Sequence, residues 1–271
     1  MKKSISRIVR GQLGKIGIGL YDTKRYRTAL LDDEYVIEKK EFPVRVYSHY
    51  MNELLAKHSV ANVLDVGANV GAFIWTLRQF VGFTGRIHSF EPNLEIFKHL
   101  DQKAKKDGNA FAHAIPLGKK EGEELKINIM QSNVFSSFLT PNSYGESTFE
   151  NQNKVVKTQI CKIRTLNSVF PEIEDKLLKG NIFLKCDTQG FDHNVIQGAD
   201  QILPKISLLQ VELNFKPIYE NSPSFENIYE LCLSHGFALA LMFPVNHTED
   251  GALLEADGVF VNTRMTHTGS N

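Results

Sequence analysis

From residue 60 onward, short apolar runs alternate with stretches in which apolar residues recur at helical spacing. Short apolar runs are typical of buried strands, and the helical spacing is typical of amphipathic helices. The predicted strands span residues 62–68, 86–91, 110–117, 182–187, 207–214, 237–244 and 258–262. Strands that alternate with helices in this way predict an α/β fold with a parallel, doubly wound sheet.

Capping residues mark the ends of several predicted helices. Asn93 is placed to cap the helix after the second strand, and Gly108 stands beyond its predicted end, where glycine tolerates a left-handed backbone. Ser222 followed by Pro223 predicts the start of a later helix, and Gly236 predicts its end. The loops between these helices and the preceding strands lie where open α/β sheets bind their ligands.

Two parts of the chain do not follow this alternation. Between residues 118 and 170, strands at Lys126–Met130 and Val155–Ile163 flank a polar middle, which predicts an inserted hairpin. The other part is a basic N-terminal segment, residues 1–58, in which we predict a helix. The chain is therefore predicted to consist of this segment and one main domain, residues 59–271.

The charge of the N-terminal segment allows two interpretations. Residues 1–28 carry eight basic side chains and one acidic side chain, with Ile5, Ile8, Val9 and Leu13 at near-helical spacing. A basic amphipathic helix of this kind makes weak, salt-sensitive contact with an anionic membrane surface. The interpretation that we favour is a solvated helix packed on the main domain, since such apolar stripes usually face a core.

Composition excludes several classes of protein. Lys and Arg together number 31, as do Asp and Glu, so the chain lacks the basic excess of a nucleic-acid-binding protein. No apolar run reaches the roughly 18 residues of a membrane span, and we predict no secretory signal, because basic residues interrupt the apolar positions near the start. The three cysteines are scattered and form no CxxC pair, which argues against a disulfide framework or a structural zinc site. We expect a cytoplasmic protein without a structural metal.

The strongest motif follows the first predicted strand, in the sequence from Asp65 to Gly71. Gly67 and Gly71 stand at a strand-to-helix turn, where glycine lets the backbone approach a ligand closely. Their spacing differs from the GxGxxG pattern of dinucleotide-binding turns. The charge of Asp65 would oppose a pyrophosphate and would suit a cationic ligand such as S-adenosylmethionine. A tight turn that serves packing alone is the alternative.

Glu91 ends the second predicted strand, 20 residues after Gly71. A carboxylate at this position can accept hydrogen bonds from both hydroxyls of a ribose. NAD enzymes and methyltransferases both use this arrangement, so Glu91 does not distinguish them. An acid favoured at a helix start is the other explanation.

Polar residues also end two later strands. Lys185 and Asp187 are two apart and therefore point to the same face, and Glu212 and Asn214 do so on the next strand. The carboxyl ends of both strands are predicted to open onto one ligand crevice. Lys185 and Asp187 are therefore either functional or a structural ion pair. A divalent cation shared by Asp187 and Glu212 is a weaker alternative, and we predict no metal site.

The chain resembles the FkbM family of S-adenosylmethionine-dependent methyltransferases. The resemblance covers about residues 60–263 and rests on five segments in this order: VLDVGANVG, SFEPN, LKCDTQGFDHNVIQGA, LLQVELN and EADGVFVN. It implies a Rossmann-like class I methyltransferase fold, with a seven-stranded, mostly parallel sheet whose last strand is antiparallel. It also implies methyl transfer, usually to a hydroxyl of a sugar or a polyketide. Cys186 and Asn167 depart from the residues that are frequent in the family.

The polar strand ends supply the candidate residues for the chemistry. Asp187 would act as base or orient the acceptor hydroxyl, Lys185 would set its charge state, and Glu212 with Asn214 would help to place the acceptor. The resemblance, carried over residue by residue, indicates the cofactor site. S-adenosylmethionine would be bound by Asp65, Gly67, Ala68, Asn69, Gly71, Phe73, Glu91, Pro92, Ser136 and Ser137.

The sequence thus predicts an O-methyltransferase that acts on a hydroxyl group of a small molecule or, by family analogy, of a sugar or glycan. A nicotinamide oxidoreductase would have a third glycine at the helix start and no Asp65. A non-catalytic, membrane-associated module would have lost cofactor residues, whereas Asp65, Gly67, Gly71 and Glu91 are all present.

Overall fold

The computed structural model describes residues 28–30, 36–38 and 42–265. The chain divides into two compact units, residues 1–49 and 50–271. In the first unit, strands β1 (Thr28–Leu30) and β2 (Val36–Glu38) pair antiparallel. Helix α1 (Phe42–Lys57) begins in this unit and ends just before the predicted domain boundary. The predicted basic helix and its membrane contact fall almost entirely outside the described residues.

The second unit alternates strands and helices along the chain. In order, they are β3 (Val60–Val66), α2 (Ala72–Thr76), β4 (Arg86–Phe90), α3 (Leu94–Asp107), β5 (Ala110–His113), β6 (Glu124–Met130), α4 (Ser143–Phe149), β7 (Val155–Lys162), α5 (Leu166–Ile173), β8 (Asn181–Cys186), α6 (Asp192–Gln197), β9 (Ile206–Asn214), α7 (Phe225–Ser234), β10 (Phe237–His247) and β11 (Leu253–Asn262).

Seven strands form one sheet in the order β10-β11-β9-β8-β3-β4-β5. The pairs from β9 to β5 are parallel, and β11 runs antiparallel to both β9 and β10. This is the predicted Rossmann-like arrangement with an antiparallel last strand, and the prediction is confirmed. The strand order reverses direction beside β3, so the crevice at its carboxyl end is the expected ligand site.

Strands β6 and β7 form a separate two-stranded antiparallel sheet. Asn128 of β6 exchanges backbone hydrogen bonds with Ser137, at 2.8 and 3.1 Å. This bridge holds the segment after β6 in place, and the cavity described below is lined by Ser136 and Ser137 of that segment.

The caps of helices α3 and α7 can be compared with the predicted helix ends. Asn93 accepts hydrogen bonds from the amides of Glu95 (3.0 Å) and Ile96 (3.5 Å), and α3 ends at Gly108 with φ 80°, as predicted. Helix α7 instead begins after Ser224, two residues later than predicted.

Ser222 and Ser224 are both candidate N-cap residues for α7. Asn227, three residues after Ser224, accepts a hydrogen bond from the Ser224 amide at 3.2 Å, which completes a capping box. Ser222 has Phe225 at the corresponding position and therefore has no such partner.

Strands β8 and β9 lie in the buried core of the sheet, and this burial also affects the polar residues at their ends. Every residue of β9 is buried, and Phe183 and Leu184 of β8 are fully buried. Burial of each large apolar side chain stabilises the fold by about 1.5–3 kcal/mol. The same burial removes Glu212 and Asn214 from water, so their polar atoms need partners within the protein.

Among the described residues, no helix combines the length and the apolar character that a membrane crossing needs. Cys161, Cys186 and Cys232 are buried free thiols.

Candidate functional site

A cavity of about 290 Å³ opens at the carboxyl ends of β3, β4 and β8. It brings together most of the residues that the sequence singled out, and its lining includes Asp65, Gly67, Ala68, Asn69, Phe73, Glu91, Pro92, Ser136, Ser137, Lys185 and Asp187. Three predicted site residues are not part of the lining: Gly71, Glu212 and Asn214.

The loop between β3 and α2 forms one wall and depends on Gly67. This glycine has φ 81°, and a Cβ added to it would lie 1.9 Å from the backbone carbonyl oxygen of Asp187. No side chain fits there, so the loop lies directly against the end of β8. Gly71 has φ 76°, and a Cβ there would lie 3.0 Å from Leu100 of α3. A side chain at this position would point toward helix α3, and a cofactor contact at Gly71 stays a prediction.

Asn69 adopts a left-handed backbone, with φ 48°. Its side-chain oxygen accepts a hydrogen bond from the Val70 amide at 2.7 Å, and its side-chain nitrogen donates to the Asn133 carbonyl at 3.3 Å. Short polar side chains of this type tolerate the left-handed region better than other L-residues. The local bond therefore helps to shape the turn, while the second bond ties it to the segment after β6.

Glu91 connects the end of β4 to two loops. One carboxylate oxygen accepts the Asn69 amide at 2.9 Å and the other accepts the Asn93 amide at 2.8 Å. Burial raises the pKa of Glu91 to about 7, against the opposing effect of these two amides. Each carboxylate oxygen has a further lone pair, so Glu91 can still accept hydrogen bonds from a ligand in the cavity.

Asp65 is fully buried in the cavity wall. Ser89 donates a hydrogen bond to its Oδ2 at 3.2 Å. Its Oδ1 lies 3.7 Å from the Lys185 ammonium and has no hydrogen-bond partner among the described residues. Burial raises the pKa of Asp65, and Lys185 opposes this shift. A buried carboxyl group in the wall of a cavity favours a ligand that carries positive charge.

Lys185 is the cation of the site. Its Nζ donates to Asp187 Oδ2 at 3.0 Å and lies 4.9 Å from the centre of the Phe73 ring. Burial disfavours its charge, but the carboxylates of Asp187, Asp65 and Asp257 together raise its pKa above the usual range. Lys185 is therefore an ammonium at neutral pH, held by two carboxylates and one aromatic face.

Asp187 is the most exposed of the three carboxyl groups that line the cavity. Its backbone amide donates to the Val66 carbonyl at 3.0 Å, which fixes the residue beside β3. Its side chain is 41% exposed, whereas that of Asp65 is not exposed at all. The side chain thus presents an accessible hydrogen-bond acceptor inside the cavity, next to the loop that Gly67 shapes.

Gln189 also lines the cavity, although the sequence reasoning did not select it. Its side-chain nitrogen lies 3.1 Å from Glu212 Oε2 and 3.4 Å from Asp187 Oδ1. The only sequence signal was its place in the LKCDTQGFD segment. Gln189 has φ 55° and is followed by a left-handed glycine, Gly190, an unusual backbone that composition does not reveal.

Glu212 and Asn214 lie behind Gln189. The Asn214 amide donates to Glu212 Oε1 at 2.9 Å, and the Glu212 backbone amide donates to Asp192 at 3.0 Å. Burial raises the pKa of Glu212 well above its usual range, and the nearby Glu255 adds to the shift. The two residues meet on one face, as predicted, but a direct contact with an acceptor stays a prediction.

Part of the cavity lining is apolar, which the sequence analysis did not predict. Five side chains, here called the apolar wall, come from four segments of the chain: Ile96, Ile115, Leu117, Ile127 and Phe138. Together with Glu91 and Asp65, they offer an apolar slot, a ribose acceptor and an anionic corner in one cavity. This set of groups fits the adenine, the ribose and the ammonium of S-adenosylmethionine.

Two other residues of interest, His193 and Asn167, do not line the cavity. His193 lines a separate open groove with Pro223 and Glu230. Asn167 donates to Asp200 at 2.5 Å on the surface. In the part of the chain that the structure describes, no group of three or more His, Cys, Asp or Glu side chains is arranged to hold a metal ion.

A known family matches a large part of the chain. Residues 65–239, more than half of the chain, match the family model described as the Methyltransferase FkbM domain. No curated protein matches the chain.

Two solved structures are among those to which the chain is similar. Methyltransferase FkbM from Methylobacillus flagellatus KT is 13% identical, with a TM-score of 0.45 over 74% of this chain and 43% of that one. Fibrillarin from Aeropyrum pernix, solved with bound S-adenosyl-L-methionine, is 11% identical, with a TM-score of 0.42 over 89% of this chain and 84% of that one. The chain thus spans less than half the length of the Methylobacillus protein.

Proposed function

The chain belongs to the FkbM methyltransferase family, and we propose that it methylates a hydroxyl group of a sugar or glycan. Methyl transfer from S-adenosylmethionine follows from the family. The choice of oxygen as the acceptor atom is supported by one observation above all: a half-exposed carboxylate, Asp187, lies in the cavity with a buried ammonium, Lys185, on one of its oxygens. A hydroxyl acceptor needs such a group to take or orient its proton.

The cofactor would be held by groups that the cavity already orients. Glu91 would accept the ribose hydroxyls, Asp65 would supply negative charge near the ammonium of the methionine part, and the apolar wall around Ile115 and Phe138 would cover the adenine. When bound, S-adenosylmethionine supplies an electrophilic methyl group on a sulfonium.

The protein's own residues would then act on the acceptor. Lys185 donates to Oδ2 of Asp187 and fixes the carboxylate, which leaves lone pairs of Oδ1 for a hydroxyl proton. The close contact between Gly67 and the Asp187 carbonyl keeps this carboxylate beside the cofactor loop. Fixed placement of the reacting groups accounts for much of the rate that enzymes achieve.

The acceptor class is inferred from the family and from the polar residues at the cavity rim. The family's usual acceptors are hydroxyls of sugars or polyketides, and the polar rim around Asp187 and Gln189 suits a polyol. We infer a role in glycan biosynthesis within the cytoplasm. A transfer assay with S-adenosylmethionine labelled at the methyl group, run across sugar nucleotides and surface glycans, tests this directly. Label that appears only on nitrogen or carbon atoms would contradict the proposal.

Asp187→Asn provides the matched test of the chemistry. The substitution keeps the size of the side chain and removes its ability to take a proton, so turnover should fall by roughly 100-fold or more. Binding of S-adenosylhomocysteine, measured by calorimetry, should change little. Glu91→Ala should show the reverse pattern, with weakened binding and a smaller loss of turnover at saturation. Near-normal turnover of Asp187→Asn would remove Asp187 from the mechanism.

A further inference from the structure

We propose that Gln189 is a positioning residue, which holds the Asp187 carboxylate in place and connects it to Glu212 behind the cavity wall. The inference rests on the proposed role of Asp187 in orienting the acceptor. It assigns Glu212 and Asn214 an indirect role, since both reach the cavity through Gln189.

The backbone of Gln189 is fixed from two sides. The Ser137 hydroxyl donates to its carbonyl oxygen at 2.7 Å, from a segment that is distant in sequence. Gly190 follows with φ 84°, and a Cβ there would lie 2.7 Å from the Ser222 hydroxyl. Gln189 itself has φ 55°, a conformation that persists for a glutamine only where the surroundings impose it. The direction of its side chain is thus set by the fold.

Every polar atom of the side-chain amide has a neighbour. The nitrogen carries two N–H groups, which face Glu212 Oε2 at 3.1 Å and Asp187 Oδ1 at 3.4 Å. The amide oxygen lies 3.1 Å from the Tyr219 hydroxyl, which also contacts the Phe135 carbonyl at 2.7 Å. The amide thus places its nitrogen toward the two carboxyl groups and its oxygen toward the Tyr219 hydroxyl.

Two donors therefore act on Asp187. Lys185 donates to Oδ2 and Gln189 approaches Oδ1, so the two contacts restrict rotation of the carboxylate group. Asp187 remains 41% exposed, and without the second donor its carboxylate would sample other orientations in the cavity. A displacement of about 1 Å in a reacting group can cost roughly 100-fold in rate.

Gln189→Asn separates this role from a role in folding. Asparagine tolerates a left-handed backbone better than glutamine, so the turn is kept, but the shorter side chain withdraws its amide from Glu212. With the acceptor identified by the labelled-methyl assay, we expect kcat to fall by about 10-fold to 100-fold. The KM for S-adenosylmethionine and the affinity for S-adenosylhomocysteine should change less than about twofold, since a positioning defect acts on the reacting groups.

Two further variants sharpen the comparison. Tyr219→Phe removes the hydroxyl beside the amide oxygen and should lower kcat in the same direction by a smaller factor. Gln201→Asn makes the same chemical change at an exposed position and should leave kcat unchanged. Normal kcat in Gln189→Asn, or an equal loss in Gln201→Asn, would overturn the proposal.

A spectroscopic readout needs no acceptor. In nitrogen-15 spectra of the protein, the side-chain amide of Gln189 is identified by its loss in Gln189→Asn. Its signals should shift in Glu212→Gln and in Asp187→Asn, because both changes alter an oxygen that an N–H group faces. Signals that move in neither variant would contradict the contact. If these shifts occur while Asp187→Asn retains turnover, the proposed function fails at Asp187 and the coupling through Gln189 stands.

Discussion

Gly67 shows how much of the site depends on one missing side chain. Its φ of 81° is a left-handed conformation, and the Asp187 carbonyl oxygen occupies the place of a Cβ. An alanine at this position would have to adopt an unfavourable backbone and would also push the loop away from β8. Both effects act on the cavity, since Gly67 and Asp187 line it together.

We therefore expect Gly67→Ala to lower the free energy of unfolding by about 2–4 kcal/mol, in the range of strained or overpacked sites. Urea denaturation measures this loss, and calorimetry should show weakened binding of S-adenosylhomocysteine. Gly108→Ala is the matched control, because Gly108 has φ 80° but no atom within 4 Å of an added Cβ. The free energy of unfolding of Gly108→Ala should fall by about 1 kcal/mol, because only the left-handed backbone is unfavourable for alanine there. Equal losses in the two variants would show that the contact with Asp187 does not matter.

At the scale of residues, the sequence revealed the charged groups and not the groups that orient them. Lys185 and Asp187 were recognisable because charges are rare on an apolar strand. Gln189 and Tyr219 were not, since their contacts join positions 30 residues apart and depend on a left-handed backbone. A glutamine and a tyrosine in a polar loop carry no such signal in composition.

Strands β4 and β5 carry two neighbouring histidines, His88, which is buried, and His113, which is partly buried. Nδ1 of His88 lies 3.0 Å from Nε2 of His113, and the rings stack with centroids 5.3 Å apart. One nitrogen must donate and the other accept, so the pair cannot take up two protons without losing this bond. Burial lowers the pKa of His88 to about 3 and that of His113 to about 4.

These shifts predict a loss of stability in acid. In the unfolded chain both histidines titrate near about 6.5, while in the folded chain they stay neutral until the pH approaches 4 and 3. Between these limits the unfolded state binds more protons, so the free energy of unfolding falls as the pH falls. The stability that the neutral pair provides is present above about pH 6.5 and is lost progressively below it.

Urea denaturation at pH 7 and pH 5 checks this prediction. His113→Gln should reduce the fall in unfolding free energy between the two pH values, whatever its effect at pH 7. His99→Gln changes an exposed histidine on α3 and should leave the fall unchanged. Buried carboxyl groups such as Glu91, whose pKa is raised to about 7, act in the opposite direction, so only the difference between variant and parent isolates the histidines. An unchanged fall in His113→Gln would exclude the pair as its source.

At the scale of elements, apolar runs identified all strands of the main sheet, but not how each element ends. The helix predicted after β3 comprises only Ala72–Thr76, and the chain continues in a wider π-helical turn, Leu77–Val81. Both parts bury apolar residues at similar spacing, so the pattern does not distinguish them. The pairing of β1 with β2 was also not predicted, because each strand has only three residues.

For the molecule as a whole, the order of strands places one cavity at the reversal of the sheet, and a ligand bound there should stabilise the folded state. At about 100 times its Kd, a ligand that binds only the folded protein adds about 2.7 kcal/mol. For a unit of this size, that corresponds to a rise in Tm of about 5–10 °C. We expect S-adenosylhomocysteine to produce this rise and NAD to produce none, as measured by thermal unfolding. A rise with NAD alone would contradict the assignment of the cavity.

The overall topology was predictable because the segments that resemble the family occur in order at the ends of strands. The position of the apolar cavity wall was not, since Ile96, Ile115 and Ile127 come from three different elements that only the folded chain brings together. Each of them is an unremarkable apolar residue in the sequence.

The contact at Gly67 also joins two distant parts of the chain. The turn after β3 and the end of β8 are about 120 residues apart in the sequence, yet they meet backbone to backbone. Replacing only one of these two segments with the corresponding segment of a related enzyme should disturb the contact, because the new segment would have a backbone conformation that fits a different partner. Laboratory recombination of such enzymes should exchange the two segments together, as a single heritable module, if the chimaera is to keep its cavity.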